Sequence, residues 1–540
     1  MRLKESERKV LEEAAVSLGL TSVVALCAYG SKVAGYARPD SDYDILVVAK
    51  RYGEGVRYKY LKEPVEASAL IVDERMLLQD ARNAYLGEFV AGRFLNVYDP
   101  IINGDLLREV EVDYKARVIT EALIELSSDY GEFNRHIVVP YEYFLFDKLR
   151  KRSQVYPPAL YSYVQTYKGR LGDENKAASV DGFREASETI AGKGFLVPEE
   201  DGVKLLPEKM KGDAFTKALS LFSLTARGVT QYAVHGYAGR VGFGVFRKEA
   251  LSKLRRMREN LEPPRELDSP RSLLQLEEGR FVADAAGLNE ELAAAAGFSE
   301  WKVTEKVLGE PYATTTLVTI KSGAHERSFV VKNFSDVRSL KWAILGVWAA
   351  TARKFNMSPT ARLEREYSAS IGLRSSGVMT PKIAAVAPGE RLMAKDFVEG
   401  PPLSKLIDGI LAGKHDGLAS VTAYGSVLGK VHAEGMTLGD AKASNVVVAK
   451  DGLYLTDLEQ TLAGGDKAWD LAEFLYYTAK LSNKEEKMKE VAEAFLKGYV
   501  SEGEKAAIER ARSNRYFAPF LPFLTPGMSG MLREVMEDFS

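Results

Sequence analysis

The stretch LEPPRELDSPRS, from Leu261 to Ser272, constrains the fold of this chain most, because it holds three prolines among charged residues. Proline removes a backbone donor and breaks helix interiors and central strands, so neither kind of element is expected to run through it. Charged, proline-rich composition is typical of linkers. The sequence therefore predicts separately folded parts on the two sides of this stretch.

At roughly 100–200 residues per domain, 540 residues are enough for about three domains. The pattern of apolar residues and turns predicts a small α/β domain (1–109), a helical connector (110–260), the linker region (261–290) and a C-terminal domain (291–540). In the last of these, strands come first and helices later, as in a two-lobed kinase. The predicted fold class is α+β, multidomain.

Composition excludes several classes of protein. The 73 Lys and Arg residues against 75 Asp and Glu give a net charge of −2, so no global field attracts nucleic acid or an acidic membrane. The single cysteine, Cys27, lies in the apolar run VVALCAY and is expected to be a buried core residue. Since no apolar run is long enough to span a membrane, the sequence predicts a cytoplasmic protein with no membrane partner.

A glycine-serine turn and a pair of aspartates stand close together in AYGSKVAGYARPDSDYDILVV. Residues two apart in a strand point to the same face, so Asp42 and Asp44 are expected to face one place as oxygen ligands for Mg²⁺ or Mn²⁺. Gly30 permits close approach of the backbone to a triphosphate, and Ser31 adds a hydroxyl donor. The segment predicts a site for phosphate and metal.

The same segment resembles the polymerase β-type nucleotidyltransferase superfamily, particularly its minimal members, in having Gly-Ser, the later Gly35 and then Ser-Asp-x-Asp. The resemblance implies that Asp42 and Asp44 hold the metals and that Gly30 and Ser31 bind the triphosphate. It also implies transfer of a nucleotide.

In that superfamily a third carboxylate on a neighbouring strand completes the site and often acts as the base. The candidate is Glu66 in PVEASALIV, because it is a lone charge at the start of an apolar strand. Asp73 is the alternative, but it stands where that strand ends and DERMLLQDA begins, which suits a helix N-cap.

A second ordered set of polar residues lies in VHAEGMTLGDAKASNVVVAKDGLYLTDLEQT. Phosphoryl transfer needs a carboxylate to orient the attacking hydroxyl, oxygen ligands for metal and a cation on the phosphates. Asp440, Lys442 and Asn445 supply these groups on one short loop. Asp457, after the strand LYLT, supplies a second metal carboxylate.

This set resembles the catalytic and metal loops of the protein-kinase-like superfamily over about Trp301–Ser540, and it is most similar to atypical RIO-type and KEOPS-type kinases and to aminoglycoside phosphotransferases. The resemblance implies that Asp440 is the catalytic aspartate and Lys442 the phosphate-facing lysine of the loop. It likewise implies that Asn445 and Asp457 are metal ligands.

Upstream residues extend the resemblance in the expected order. Lys332 in SFVVKNF matches the strand lysine that contacts the α- and β-phosphates, and Glu366 matches its helical ion-pair partner. KDFVEGPPL resembles the hinge, so the backbone from Asp396 to Val398 is expected to face adenine. The turn that lies over the ATP phosphates in such kinases would here consist of Gly309 and the threonine-rich stretch after it.

The chain departs from the kinase pattern in several places. The position usually filled by His or Arg before the catalytic aspartate is Leu438, and the phenylalanine and glycine after the metal aspartate are replaced by Leu458 and Glu459. No activation segment separates Asp457 from Asp470, which resembles the structural aspartate after the metal loop. These features favour an atypical site of constant shape.

The middle of the chain predicts a winged helix-turn-helix, with helices in Tyr161–Gly192 and a wing in Phe195–Leu206. The basic runs KLRKR (Lys148–Arg152) and RKEALSKLRRMR (Arg247–Arg258) are candidates for phosphate contacts of a nucleic acid. Solvated basic helix faces and protein docking are the alternatives.

These features together predict a Mg²⁺- or Mn²⁺-dependent transferase that uses ATP or another NTP, with a nucleotidyltransferase site and a kinase site acting on a protein or on tRNA or another RNA. DNA is less favoured as a partner, and the resemblances suggest an archaeal source. Two alternatives stay open: a nucleotide-sensing regulatory protein with an inactive site, and a small-molecule transferase of the antibiotic-modifying kind.

Overall fold

A computed structural model describes residues 2–192, 194, 196–206, 230, 262–308, 315–334, 358–414, 417–480 and 484–540. The chain is a mixed α/β protein that divides into two compact units, Met1–Gln275 (unit 1) and Leu276–Ser540 (unit 2). Gly309 and the basic run Arg247–Arg258 lie outside the described residues. Among the described helices, none is long and apolar enough to cross a membrane.

Unit 1 begins with strands and continues with helices. Its strands are β1 Val23–Tyr29, β2 Tyr43–Ala49, β3 Val56–Leu61, β4 Ala67–Asp73, β5 Asp99–Ile102, β6 Ile137–Pro140, β7 Leu196–Pro198, β8 Gly202–Leu205 and β9 Gln275–Leu276, the last at the boundary with unit 2. Its helices are α1 Glu5–Ser17, α2 Ser31–Ala34, α3 Glu74–Asn83, α4 Gly104–Tyr130, α5 Tyr141–Val155, α6 Ala159–Lys168, α7 Gly172–Ala191 and α8 Arg265–Asp268.

The first sheet of unit 1 has the order β3-β4-β2-β1-β5. Strands β2 and β4 run parallel, and the other neighbours in this sheet are antiparallel. One face packs on α1, because Leu11, Ala15 and Leu18 recur at helical spacing and join the sheet's apolar residues in one core. Cys27 in β1 is buried in the same sheet, as predicted.

A second, smaller sheet of unit 1 has the order β7-β8-β6-β9. It follows α6 and α7 in the chain, with β7 and β8 forming an antiparallel hairpin. Part of the stretch expected to be a linker is ordered: α8 and the 3-10 helix Pro270–Leu273 pack against α5.

Unit 2 contains two groups of elements, strands first and helices later. Its strands are β10 Arg280–Phe281, β11 Lys302–Leu308, β12 Thr315–Ser322, β13 His325–Asn333, β14 Ile383–Ala387, β15 Leu392–Asp396, β16 Met436–Thr437, β17 Val446–Val448, β18 Leu453–Leu455 and β19 Leu462–Ala463. Its helices are α9 Leu288–Ala296, α10 Pro359–Ser375, α11 Leu403–Leu411, α12 Leu418–Ala433, α13 Lys467–Ala479, α14 Glu485–Tyr499, α15 Lys505–Ala511, α16 Asn514–Phe517 and α17 Pro526–Phe539.

The main sheet of unit 2 has the order β10-β14-β15-β13-β12-β11. Strands β11, β12 and β13 are consecutive antiparallel neighbours in this sheet, in agreement with the predicted order of strands first and helices later. The sheet has its own apolar core with α9, and the C-terminal helices share another core around Tyr424, Phe474 and Phe495. Short strands and loops beside this helical core carry the polar residues of the second motif.

Candidate functional site

Lys332 lies at the centre of a group of charged side chains in unit 2. It projects from β13, and its Nζ lies 2.6 Å from Oε2 of Glu366 in α10 and 2.5 Å from Oδ1 of Asp457. A third carboxylate oxygen, Oε2 of Glu459, is 3.0 Å away. The structure thus brings together three residues that are far apart in sequence, Lys332, Glu366 and Asp457. The sequence analysis expected them to be the phosphate-binding lysine, its ion-pair partner and a metal ligand.

The candidate catalytic loop (Leu438–Asn445) carries the next three candidate residues. Lys442 places its Nζ 2.5 Å from Oδ1 of Asp440, while Nδ2 of Asn445 donates to the backbone carbonyl of Asp440 at 2.9 Å. The amide oxygen of Asn445 accepts a long hydrogen bond from Oγ of the neighbouring, exposed Ser444 at 3.4 Å, and it is the end of this side chain that could bind a metal, since oxygen is the ligand that Mg²⁺ prefers. Burial opposes the charged form of Lys442, but the carboxylates of Asp440 and Glu473 raise its pKa.

Helix α13 holds the loop Leu438–Asn445 in place through two buried carboxylates, which accept hydrogen bonds from backbone N–H groups of the loop. Asp470 accepts hydrogen bonds from the N–H groups of Leu438 at 2.6 Å and Gly439 at 2.7 Å, and it also contacts Nε2 of His432. The other ring nitrogen of His432 bonds to the hydroxyl of Tyr499. Both ring nitrogens of His432 are thus engaged in hydrogen bonds that support the loop, and nothing in its contacts indicates an acid or base role.

The second of these carboxylates, Glu473, was missed by the sequence analysis. It accepts from the N–H of Ala441 at 2.9 Å and lies 3.5 Å from Nζ of Lys442. Burial raises its pKa to about 8. The signal that could have found it is the one charge inside the apolar run LAEFLYY, since buried charges are rare unless they are paired.

The metal loop (Asp457–Glu459) departs from the kinase pattern in a way the structure explains. Glu459 replaces glycine and is buried, with Oε1 3.5 Å from Nη1 of Arg362 in α10. Burial raises the pKa of Glu459. Among the described residues, one group of three carboxylates has ligand oxygens within 4.8 Å of one another: Glu366, Asp457 and Glu459.

The candidate hinge begins at the end of β15. The side chain of Asp396 accepts two hydrogen bonds from Arg327, at 2.9 and 3.1 Å. Its own N–H donates to the carbonyl of Lys382, and the N–H of Phe397 donates to that of Ser328. In the part of the chain that the structure describes, the N–H of Val398 makes no hydrogen bond.

A buried lysine next to the hinge was also missed by the sequence analysis. Nζ of Lys395 lies 2.7 Å from Oε1 of Glu366, so the two oxygens of this carboxylate contact two different lysines. Burial lowers the pKa of Lys395. A lone lysine in the apolar strand LMAKD was the available signal.

In unit 1 the glycine-serine turn lies against one of the two aspartates. Gly30 has a φ of +79° and precedes α2, which begins at Ser31. A Cβ placed on Gly30 would lie 2.2 Å from Oδ2 of Asp44. Only glycine therefore lets the turn at the end of β1 approach the Asp44 carboxylate so closely.

The other two candidate carboxylates of unit 1 lie near the start of parallel strands. Asp42 accepts a hydrogen bond from Oγ of Ser68 at 2.7 Å, a contact not expected from sequence. The N–H of Tyr43 donates to the carbonyl of Glu66, so by the register of β2 and β4 Glu66 lies beside Asp42. The side chain of Glu66 is exposed.

The alternative third carboxylate, Asp73, lies at the opposite end of β4. It caps α3 by accepting from the N–H of Arg75, as the sequence predicted, and also accepts from that of Tyr52. Because β2 and β4 are parallel, Asp73 pairs with Ala49 at the far end of β2 from the two aspartates. Its position excludes it from their site.

Two residues of the basic run KLRKR are buried and cannot contact the phosphates of a nucleic acid. Lys148 and Arg152 are buried, and both contact the carboxylate of Glu88, which also pairs with Arg117. Lys151 pairs with Glu125 and Asp147. A run of basic residues on a helix is usually expected to be exposed to solvent. The buried partner Glu88 is evident only from the tertiary structure.

Comparison with known proteins gives one curated relative and several structural likenesses. Over 132 residues the chain is 32% identical to a probable bifunctional tRNA threonylcarbamoyladenosine biosynthesis protein of Methanosarcina mazei; the match covers 24% of this chain and about a fifth (21%) of that protein's length. No protein-family model matches the chain.

Among solved structures, WaaP in complex with acyl carrier protein is similar with a TM-score of 0.25 and 12% identity, covering 46% of this chain and 92% of that one. The PknI kinase domain of Mycobacterium tuberculosis is similar with a TM-score of 0.24 and 14% identity, covering 45% of this chain and 96% of that one.

Proposed function

We propose that unit 2 transfers the γ-phosphoryl group of ATP to an acceptor hydroxyl in a Mg²⁺- or Mn²⁺-dependent reaction. The observation that carries the proposal is the position of Lys332, which contacts both the helix carboxylate Glu366 and the metal-loop carboxylate Asp457. Such catalysis depends on positioning and on electrostatic stabilisation of the phosphates. The resemblance of the motifs to atypical kinases supports it.

The proposed roles come from the resemblance to atypical kinases, and the geometry of the two loops supports them. Asp440 would take the proton of the acceptor hydroxyl. The oxygen of that hydroxyl would bond to the γ-phosphorus while the bond from the γ-phosphorus to ADP breaks. Lys442, held between Asp440 and Glu473, would balance the charge on the transferred group. Asp457 and the amide oxygen of Asn445 fit a hard cation, whose contribution when bound is to neutralise charge on the phosphate oxygens.

The nucleoside end of ATP is proposed to lie against the hinge. Of the three backbone N–H groups from Asp396 to Val398, the first two are bonded within the sheet. We assign the N–H of Val398 as the donor to adenine. The role of Gly309 over the phosphates stays a prediction.

The test uses γ-³²P-ATP with Mg²⁺ and follows both ATP hydrolysis and label transfer. Asp457→Asn and Asp440→Asn should each lower the rate at least about a hundredfold, because each removes a charge that acts in the transition state. Asp408→Asn, at an exposed position of α11, is the matched control and should keep the wild-type rate. An Asp457→Asn variant as active as the control would overturn the proposal.

The acceptor is proposed to be a macromolecule, either tRNA or a protein. The name of the curated relative places that protein in the biosynthesis of a modified tRNA nucleoside, which favours tRNA for this chain. Incubation with labelled ATP and separate pools of tRNA, protein and small hydroxyl compounds tests this. Label in the small-molecule pool alone would favour the antibiotic-modifying alternative, and nucleotide binding without label anywhere would favour the sensor.

A second activity, nucleotide transfer, is proposed for unit 1. The observation that favours it is the close approach of Gly30 to Asp44, which leaves room for nothing larger than glycine at the turn. Asp42, Asp44 and Glu66 are the proposed metal carboxylates, with Gly30 and Ser31 at the triphosphate. With α-³²P-ATP, Asp44→Asn should abolish label transfer while Asp457→Asn leaves it intact; the reverse pattern would contradict the assignment.

For the middle of unit 1 we propose a winged-helix module that docks a protein. The order α6, α7 and the β7–β8 hairpin supports it. Helix α7 is acidic, and its Lys176 pairs with Glu142, so this helix is poorly suited to phosphate contacts. Gel-shift assays with RNA and DNA should give the same affinity for wild type and Lys176→Gln.

A further inference from the structure

Glu278, the third residue of unit 2, contacts helix α10 at two places. Its backbone N–H donates to the hydroxyl of Tyr367 at 2.9 Å, and the same hydroxyl donates to the backbone carbonyl of Glu278, also at 2.9 Å. Its carboxylate forms a bidentate ion pair with Arg374, in which Nη1 donates to Oε1 at 2.9 Å and Nη2 to Oε2 at 2.8 Å. Because Tyr367 and Arg374 are seven residues apart, they lie on one face of the helix.

The carboxylate of Glu278 also joins α10 to the main sheet of unit 2. Its Oε1 accepts from the N–H of Ile383, the first residue of β14, at 2.8 Å. Two residues after Glu278, Arg280 pairs with Ala385 where β10 runs parallel to β14. Glu278 is therefore hydrogen-bonded to the helix and to the sheet at the same time.

These contacts are of kinds that hold a fixed geometry. Tyr367 is fully buried, and a buried hydroxyl needs hydrogen-bond partners. The pair of Glu278 and Arg374 has two parallel, charge-assisted hydrogen bonds, which restrict its orientation more than a single bond does. Each of the two side chains is 25% exposed, so water screens this pair less than a fully exposed one.

Helix α10 and the main sheet carry the two members of the central ion pair of the site. Glu366 directly precedes Tyr367 on α10, and Lys332 is on β13, which is joined to β14 through β15. In a kinase-type site this lysine–glutamate pair has to be in place for phosphoryl transfer. Its formation depends on the position of α10 relative to the sheet, and Glu278 is bonded to both.

We propose that Glu278 is a positioning residue that fixes α10 against the main sheet and thereby keeps Glu366 in its ion pair with Lys332. This inference rests on the proposed kinase function of unit 2. Arg362 and Lys395 also connect α10 to its surroundings, so the loss of Glu278 should weaken the site without abolishing it.

The experiment measures the affinity of the full chain for a non-hydrolysable ATP analogue with Mg²⁺. All four tryptophans (Trp301, Trp342, Trp348 and Trp469) are in unit 2, so the analogue-dependent rise in the fluorescence-detected unfolding midpoint reports on this unit. Glu278→Ala should weaken binding about tenfold, which corresponds to roughly 1.4 kcal/mol. Glu290→Ala, at an exposed position of α9, is the control and should bind as the wild type does.

A second control separates positioning from a general loss of stability. Val535→Ala opens a cavity in the core of the C-terminal helices, at a residue of α17 that is 1% exposed. It should lower the unfolding midpoint without the analogue and leave the affinity unchanged. A loss of affinity in Val535→Ala as large as that in Glu278→Ala would show that Glu278 acts on stability alone, and would overturn the inference.

The background Glu366→Gln tests the route by which Glu278 acts. In this background the further change Glu278→Ala should not weaken binding, because Glu278 acts through Glu366. An equal loss in both backgrounds, or no loss in the wild-type background, would overturn the inference alone. A wild-type chain whose unit 2 does not bind the analogue would overturn the proposed function as well. If Glu278→Ala does not fold, Arg374→Met removes the same ion pair from the helix side and carries the same expectations.

Discussion

Arg150 and Arg152 are two positions apart in the same basic run but have opposite surroundings. Arg150 is exposed on α5, whereas Arg152 is buried with its Nη1 3.5 Å from Oε2 of Glu88. Arg152 is one of three cations that contact the Glu88 carboxylate, together with Lys148 and Arg117. The two arginines therefore form a matched pair for measuring what burial does to a charge.

Arg152→Met should lower the free energy of unfolding of unit 1 by about 1.5–3 kcal/mol, because Glu88 loses one of its three cations and a hydrogen bond to a charged group contributes about this much. Arg150→Met should change it by less than about 0.5 kcal/mol, as is usual for exposed positions. Urea unfolding followed by circular dichroism gives both values. Equal effects of the two substitutions would contradict the buried ion pair.

Gly30 allows a second residue-level prediction. Gly30→Ala should lower the stability of unit 1 and abolish α-label transfer, because the new Cβ would meet the Asp44 carboxylate. Gly19→Ala is the matched control, since Gly19 also has a positive φ (+67°) but open space around its Cβ direction. Both should lose about 1 kcal/mol through backbone strain, and only Gly30→Ala should lose the transfer.

What the sequence could predict at this scale depends on whether a residue's role has a local signature. Asp440, Lys442 and Asn445 fall on one loop at a fixed spacing, so their neighbourhood was evident before the structure was known. Glu88 and Lys395 have no such spacing, because their partners come from distant parts of the chain. For Lys395, the available signal was a lysine in an otherwise apolar strand; Glu88 lies in a turn, where a charge is common and gives no such signal.

At the scale of elements, α13 acts as the support of the catalytic loop. Asp470 and Glu473 are three residues apart and therefore on one face of the helix, and between them they accept hydrogen bonds from the N–H groups of Leu438, Gly439 and Ala441. The sequence identified the first of the two by resemblance. The second follows only from the packing of this helix under the loop.

The raised pKa of Glu473 predicts a pH dependence. Its value of about 8 in the folded chain lies above the ordinary 4.5, so between these values the folded state keeps a proton that the unfolded state releases. The contribution of Glu473 to stability should thus fall as pH rises from about 4.5 to about 8 and stay constant above that.

Fluorescence-detected urea unfolding of wild type and Glu473→Gln at about pH 5.5 and about pH 7.5 checks this prediction. The glutamine variant should lose less stability between these pH values than the wild type does. Glu486→Gln, at an exposed position of α14, should behave as the wild type. Parallel pH profiles of the wild type and Glu473→Gln would show that Glu473 ionises normally.

At the scale of the whole molecule, each unit has its own apolar core. The proline-rich stretch predicted a division of the chain, and the boundary at Gln275 lies just after it. The further division of the first 275 residues into a nucleotidyltransferase-like domain and a connector stays a proposal. The hydrophobic pattern predicted strands more successfully than the packing of short segments such as α8 and the 3-10 helix Pro270–Leu273. Segments this short are not long enough to show a periodic pattern of apolar residues.

Separate cores predict separable unfolding. Gly30→Ala should move the circular dichroism transition of unit 1 and leave the tryptophan fluorescence transition unchanged, since every tryptophan follows Leu276. The ATP analogue with Mg²⁺ should raise the fluorescence midpoint in this variant as much as in the wild type. A shift of the fluorescence midpoint by Gly30→Ala would show that the units unfold together.

The contact between Lys332 and Asp457 has a consequence for the order in which ligands bind. The ammonium group of Lys332 contacts the carboxylate that is proposed to hold a divalent cation. If the proposed site is correct, a nucleotide that attracts Lys332 would release Asp457, and a cation bound to Asp457 would release Lys332. Each ligand should then tighten the binding of the other by the same factor, and the site should respond to the joint concentration of metal and nucleotide more steeply than to either alone.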